Sequence, residues 1–125
     1  MNILIVEDDP ASAKFLKKQT ESLAHTATIA ATGKVAIQKV KEEPFDLVLL
    51  DIFLPDYHGA DLIPQFKIMQ PTMGIIAMTG HNSRDLELKI RESGIFYYLI
   101  KPFTNEVFKT ILNHIATSKD ISKTE

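Results

Sequence analysis

FDLVLLDIFLPDYHG, residues 45–59, places an unbroken aliphatic run, Leu47 to Leu50, directly before a carboxylate, Asp51. An apolar run of strand length bounded by polar turn residues reads as a strand covered on both faces, the pattern of a central strand in a parallel sheet. Pro55, Asp56 and Gly59 then break the chain into a loop, so Asp51 stands at the carboxyl edge of the strand, where open α/β sheets place their chemistry. Taken alone, the same stretch also admits Asp51 as a simple cap of the following turn. The other strand ends decide between the two.

Toward the N-terminus, NILIV at 2–6 is a second buried run, ended by Glu7, Asp8 and Asp9. Pro10 suits a first helical turn with Asp9 as its N-cap, and the helix is expected over 10–23 with Ala11, Phe15, Leu16 and Leu23 as the core stripe. Residues 25–30, carrying Thr26, Thr28 and Ile29, read as an edge strand. Thr32 and Gly33 open a helix to about residue 42, with Ala36, Ile37 and Val40 inward and Pro44 ending it.

Toward the C-terminus, 60–69 reads as a helix with Leu62, Ile63, Phe66 and Met69 inward. Pro64 lacks an N–H, so this helix is expected to start late, near Asp61 or Leu62, or to kink. Residues 74–78 form a strand that delivers Thr79 and Gly80, and Ser83 caps a helix to about residue 93, stopped by Gly94. Residues 95–100 form the last strand and deliver Lys101 and Pro102. Thr104 caps a final helix with Val107, Phe108, Ile111, Leu112 and Ile115 on one face, and the polar residues 119–125 are expected to fray as a tail or the start of a linker.

Five strands alternating with five helices imply an α/β fold: a doubly wound five-stranded parallel sheet with right-handed crossovers and helices on both faces. Five strands fit the flavodoxin-like order 2-1-3-4-5 better than the longer Rossmann order. In that order Glu7, Asp8 and Asp51 face one another, and Thr79 and Lys101 approach from the fourth and fifth strands.

Composition narrows the function classes. The 125 residues, 45% hydrophobic, suit one domain, and a formal charge of −2 with a pI near 6.1 argues against a basic nucleic-acid-binding face. Cysteine is absent, which excludes disulfides and thiolate metal sites and makes a cytoplasmic setting natural. The opening MNILIVEDD lacks the parts of a secretory signal, and no apolar stretch nears the roughly 20 residues needed to span a bilayer, so no membrane partner is expected.

Clustered carboxylates repel one another and call for a cation or a proton. Oxygen ligands with room left for water and phosphate suit Mg²⁺ better than Zn²⁺. A carboxylate beside such an ion, with the Lys101 ammonium and the Thr79 hydroxyl at hand, is equipped to attack a phosphoryl group and form an acyl phosphate. Each residue has an ordinary structural explanation, but their joint occurrence at four strand ends favours chemistry.

ILIVEDDP, LVLLDIFLPDYHG, IIAMTGH and YYLIKPF, taken in order, resemble the signature stretches of the response regulator receiver domain of two-component signalling, over residues 2 to about 116. The resemblance implies a receiver domain over 1–118 in which Asp51 is the phosphoacceptor, charged by a sensor histidine kinase, a phosphotransfer protein or a small donor such as acetyl phosphate. It implies that Mg²⁺ is held by Asp8, by Asp51, by Glu7 through water and by the main-chain carbonyl of Phe53. Lys101 matches the family's lysine, Thr79 its hydroxyl switch residue, and Tyr98 the aromatic that changes rotamer, expected to stand toward solvent until phosphorylation turns it inward. A cis Lys101-Pro102 bond is also implied. Such a chain is a switch rather than an enzyme, although it can catalyse its own phosphorylation and dephosphorylation. Its output surface, formed by the fourth helix, fifth strand and fifth helix, acts on a downstream effector domain or protein and does not itself bind nucleic acid.

Phe53 and Gly80 depart from the commoner polar residue and alanine, which bears on the lifetime of the phosphoryl group. Two other classes share parts of this pattern. An aspartate-nucleophile phosphatase carries a second acid two residues after the nucleophile, where this chain has Phe53. A flavodoxin-like binding module carries a Ser, Thr and Gly-rich phosphate loop after the first strand, where this chain has EDDP.

Overall fold

The computed structural model describes the backbone of residues 1–124 and the side chains through Ser118. Its strands are β1 (Asn2–Val6), β2 (Thr26–Ala30), β3 (Leu47–Asp51), β4 (Gly74–Thr79) and β5 (Tyr97–Ile100). Its helices are α1 (Pro10–Ser22), α2 (Gly33–Glu42), α3 (Gly59–Met69), α4 (Arg84–Glu92) and α5 (Asn105–Thr124). All strand pairs are parallel, as the alternation of elements implies, and the order is the flavodoxin-like β2-β1-β3-β4-β5 that five strands fit better than the Rossmann order. Among the described residues no helix is long and apolar enough to cross a membrane. The side chains of 119–125, where the sequence suggests a tail, lie outside the described residues, although the α5 backbone continues through Thr124.

The period of two along each strand builds two cores. Leu47 and Leu49 of β3 join Ile3, Ile5, Ile76, Met78 and Leu99 beneath α1 and α5, where Leu16, Phe108, Leu112 and Ile115 complete the layer. Val48 and Leu50 join Leu4, Val6, Ile75 and Ala77 on the other face, covered by Ala36 and Val40 of α2, by Leu62, Ile63 and Phe66 of α3, and by Ile90 of α4. Every residue of β3 is buried, because its strand has neighbours on both sides and helices over both faces.

Several boundaries differ from the sequence reading for local reasons. Helix α1 ends at Ser22, because Ala24 takes a left-handed φ of 65° and the His25 N–H turns back to the Thr20 carbonyl; β2 therefore starts at Thr26. The buried face of α1 is Ala13, Leu16 and Thr20; Ala11 is exposed, Leu23 half-buried, and Phe15 43% exposed, since its direction lies off the face that meets the sheet. Val107 on α5 is 45% exposed for the same reason. Strand β5 is shorter than 95–100 and begins at Tyr97.

Helix α3 starts at Gly59, earlier than Pro64 suggested, with Pro64 inside it and exposed. Its N-cap is His58, whose Nδ1 accepts from the Ala60 N–H at 3.3 Å. Gly59 permits this early start: a Cβ there would lie 2.7 Å from Ile52 Cα and 2.9 Å from the Asp51 carbonyl oxygen. The lack of a side chain lets α3 leave directly from the end of the acceptor strand.

The two-core arrangement makes β3 the most sensitive strand. Leu49→Ala, which empties a fully buried position, should lower unfolding free energy by about 2–5 kcal/mol in urea titration. Ile68→Ala, at an 81% exposed position on α3, should change it by about 0.5 kcal/mol or less. Equal losses at the two positions would contradict the layering.

Candidate functional site

Parallel register brings the strand ends to one level. Val6 pairs with Leu50, so the residues that follow, Glu7 and Asp51, emerge side by side, while Thr79 pairs with Ile100, directly before Lys101. The Lys101 N–H donates to the Thr79 carbonyl at 2.8 Å, and the Lys101-Pro102 bond is cis, as the motif implies. Asp9 stays outside the cluster and caps α1, its Oδ2 accepting from the Ser12 N–H at 2.9 Å.

Lys101 Nζ donates to Glu7 Oε1 at 2.6 Å and to Asp51 Oδ2 at 3.2 Å, joining β1, β3 and β5 through one ammonium. Glu7 and Asp51 are buried, whereas Asp8 is exposed at the rim. Asp51 Oδ1 accepts from the Phe53 N–H at 3.2 Å. Burial pushes the Glu7 carboxyl up from 4.5 to about 7; the Asp51 carboxylate adds to this, and Lys101 offsets part of it. Burial alone would lower Lys101, but Glu7 and Asp51 outweigh it and hold the ammonium above its usual value.

The carboxylates fit a hard divalent cation. Single oxygens from Glu7, Asp8 and Asp51 lie within 4.8 Å of one another, and Glu7 Oε2 is buried without a hydrogen-bond partner. An orphaned buried carboxylate oxygen costs desolvation energy that a ligated ion or water would recover.

Around this centre the motif residues Thr79, Phe53 and Tyr98 meet partners that the sequence motif did not single out: His58, His81, Asn82 and Arg91. Thr79 Oγ1 is buried and accepts from the His81 N–H at 3.0 Å. The Phe53 ring, 41% exposed, packs edge-on against His58 and His81 with centroids 5.2 Å and 5.3 Å away. Tyr98 is not solvent-facing. Its ring is buried at 7% exposure, its hydroxyl donates to Asn82 Oδ1 at 2.7 Å, and the Arg91 guanidinium lies over it at 5.6 Å. Burial raises the Tyr98 hydroxyl above its usual pKa, consistent with an inward ring. The inward rotamer is held by partners on the β4–α4 loop and on α4, which no strand pattern reveals. Asn82 shows in the sequence only as a polar loop residue.

A profile described as "Response regulator receiver domain" matches residues 3–113. The signal transduction histidine-protein kinase BarA of Escherichia coli strain K12 is 31% identical over 98% of this chain, which spans 14% of BarA. The transcriptional regulatory protein ZraR of Klebsiella oxytoca is 28% identical over 98% of the chain, which spans 28% of ZraR. A CheY-like response regulator receiver domain protein from Methanospirillum hungatei JF-1 superposes with a TM-score of 0.87 at 30% identity, covering 95% of this chain and 96% of the other.

With one ammonium facing three carboxylates, Asp51→Asn should relieve repulsion and leave the fold intact. Without divalent cation it should gain roughly 1 kcal/mol, about 3–5 °C in melting temperature. A large loss in calorimetry would instead make Asp51 a structural residue.

Proposed function

Since the chain belongs to the response regulator receiver domain family of two-component signalling, we propose that Asp51 is its phosphoacceptor. The observation that carries this is the placement of Asp51 at the end of β3, its Oδ1 held by the Phe53 N–H and its Oδ2 by Lys101. Glu7, Asp8, Asp51 and the Phe53 carbonyl would hold Mg²⁺. When bound, the ion supplies charge neutralisation to the phosphoryl oxygens.

The chain's own groups then do the following. An Asp51 carboxylate oxygen attacks phosphorus, the P–N bond of a phosphohistidine breaks, and the imidazole leaves as its nitrogen takes a proton. With acetyl phosphate the P–O bond breaks and acetate leaves. Lys101, already on Asp51, shifts its ammonium to the incoming phosphoryl oxygens, and the Thr79 hydroxyl donates to one of them. Both residues are held in reach by the bond between the Lys101 N–H and the Thr79 carbonyl. Phe53 offers no acid group at the position where a phosphatase needs one, which supports a stable acceptor over a turnover enzyme. The chain would promote its own phosphorylation through these residues.

A sensor kinase or phosphotransfer protein is the donor in this reading, the setting is cytoplasmic, and a downstream effector reads α4, β5 and α5. Thr79 and Tyr98 carry the signal. Drawing the Thr79 hydroxyl toward a phosphoryl group competes with its bond from the His81 N–H, and Asn82, one residue on, is tied to the Tyr98 hydroxyl. Tyr98 begins inward, so the change it transmits is a shift of the 79–82 segment together with the ring, in place of a swing from solvent.

Intact-mass analysis after acetyl phosphate and Mg²⁺ should show one added phosphoryl group in wild type and none in Asp51→Ala. Lys101→Ala should label about 10²-fold more slowly. Labelling of Asp51→Ala at the wild-type level would refute the assignment.

For the switch, amide chemical shifts with and without beryllofluoride should change over residues 83–112 in wild type and much less in Thr79→Ala. Equal changes in both proteins would remove Thr79 from the path.

A further inference from the structure

The loop after β3 is fastened to a helix that takes no part in the site. Asp56 Oδ1 accepts from the Gly33 N–H at 2.8 Å, and its Oδ2 accepts from the Lys34 N–H at 3.0 Å. One carboxylate thus satisfies two of the free N–H groups at the start of α2, where the helix dipole also favours an anion. Desolvation pushes the Asp56 carboxyl up, but the Gly33 and Lys34 N–H groups outweigh it and hold it below the usual carboxylate range.

A second contact fastens the same loop. Gly33 is buried, and a Cβ there would lie 2.5 Å from Tyr57 Cδ2, 2.9 Å from its Cγ and 3.0 Å from its Cβ. Any residue larger than glycine at 33 must therefore push the Tyr57 side chain off α2 or shift the loop that carries it. Inside the loop the Leu54 N–H donates to the Tyr57 carbonyl at 3.2 Å, and Phe53 pairs with His58 in an antiparallel bridge. The short turn 54–57 therefore closes on Phe53 at one end and is clasped to α2 at its tip.

We propose that Asp56 is a positioning residue that, through the clasp to Gly33 and Lys34, sets the backbone of Phe53 for cation binding beside Asp51. This rests on the reading of Asp51 as a Mg²⁺-dependent acceptor, in which the Phe53 carbonyl is a ligand. A loop released from α2 must be ordered at each binding event, and that cost is taken from the affinity for the ion. Gly33 belongs to the same device, so two substitutions on different elements should have one effect.

Isothermal titration of MgCl₂ tests this, with melting temperature measured alongside without metal. Asp56→Ala and Gly33→Ala should each weaken Mg²⁺ binding by about tenfold, the lower end for residues that orient metal ligands. Alanine is the better helix former at 33, so the second loss cannot come from a weaker α2. Asp56→Asn keeps one acceptor oxygen and should fall between wild type and Asp56→Ala. Ile115→Val, a mild truncation in the distant core beneath α5, should lower the melting temperature with wild-type Mg²⁺ affinity. The clasp is refuted if the variants at 33 and 56 bind Mg²⁺ like wild type, or if Ile115→Val weakens binding as much as they do. If wild type itself binds no Mg²⁺, the acceptor reading falls and the clasp falls with it.

Discussion

One ammonium held between two buried carboxylates is the interaction on which the rest of the site depends. Charges removed from water cost several kcal/mol each after relaxation, and pairing recovers this only when geometry is good. Lys101 supplies that geometry to Glu7 and Asp51 at 2.6 Å and 3.2 Å, across 94 and 50 residues of chain. The compensation is incomplete, because Glu7, Asp8 and Asp51 together carry more negative charge than one lysine offsets. Burial raises the Glu7 pKa and the Asp51 carboxylate adds to it, while Oε2 of Glu7 is buried without a hydrogen-bond partner. Such a cluster could hold a cation, and in the proposed function a lysine already resting on Asp51 is placed to follow the charge of a phosphoryl group.

Holding those charges at one level requires a rigid sheet, and the rest of the fold supplies it. The central strand β3 is buried throughout between two apolar layers, which resists any slip that would move Asp51 relative to Glu7. Gly59 lets α3 depart against the strand end, and Asp56 ties the intervening loop to α2. The loop after β4 is held differently. Thr79, Asn82 and Tyr98 link it by single hydrogen bonds, with Arg91, itself paired to Glu87 at 2.9 Å, lying over the Tyr98 ring. These are single contacts, in contrast to the paired bonds by which Asp56 holds the loop after β3.

The inward Tyr98 bears on how such a surface is biased. A buried ring bonded to Asn82 is already in the position that phosphorylation was expected to create. In the proposed switch, a phosphoryl group would therefore act through Thr79 and the 79–82 backbone, with the ring as a coupled passenger.

By itself the sequence determined the elements, their order in the chain and which charged residues stand at the strand ends. Short apolar runs bounded by turn residues, such as Leu47 to Leu50 and Ile75 to Met78, read as buried strands, and Asp9, Thr32 and Ser83 announce helix starts through short-range hydrogen bonds that need no tertiary partner. The carboxylates and the lysine were legible because each directly follows such a run. What only the tertiary structure decided is which side chain meets which across distant elements. Phe15 and Val107 satisfy a helical period yet face solvent, Tyr98 finds Asn82 and Arg91, and Asp56 reaches Gly33 over 23 residues of chain. Periodicity specifies a face relative to its own helix or strand axis. The partner on that face depends on how whole elements pack, a collective free energy that no local stretch of residues encodes.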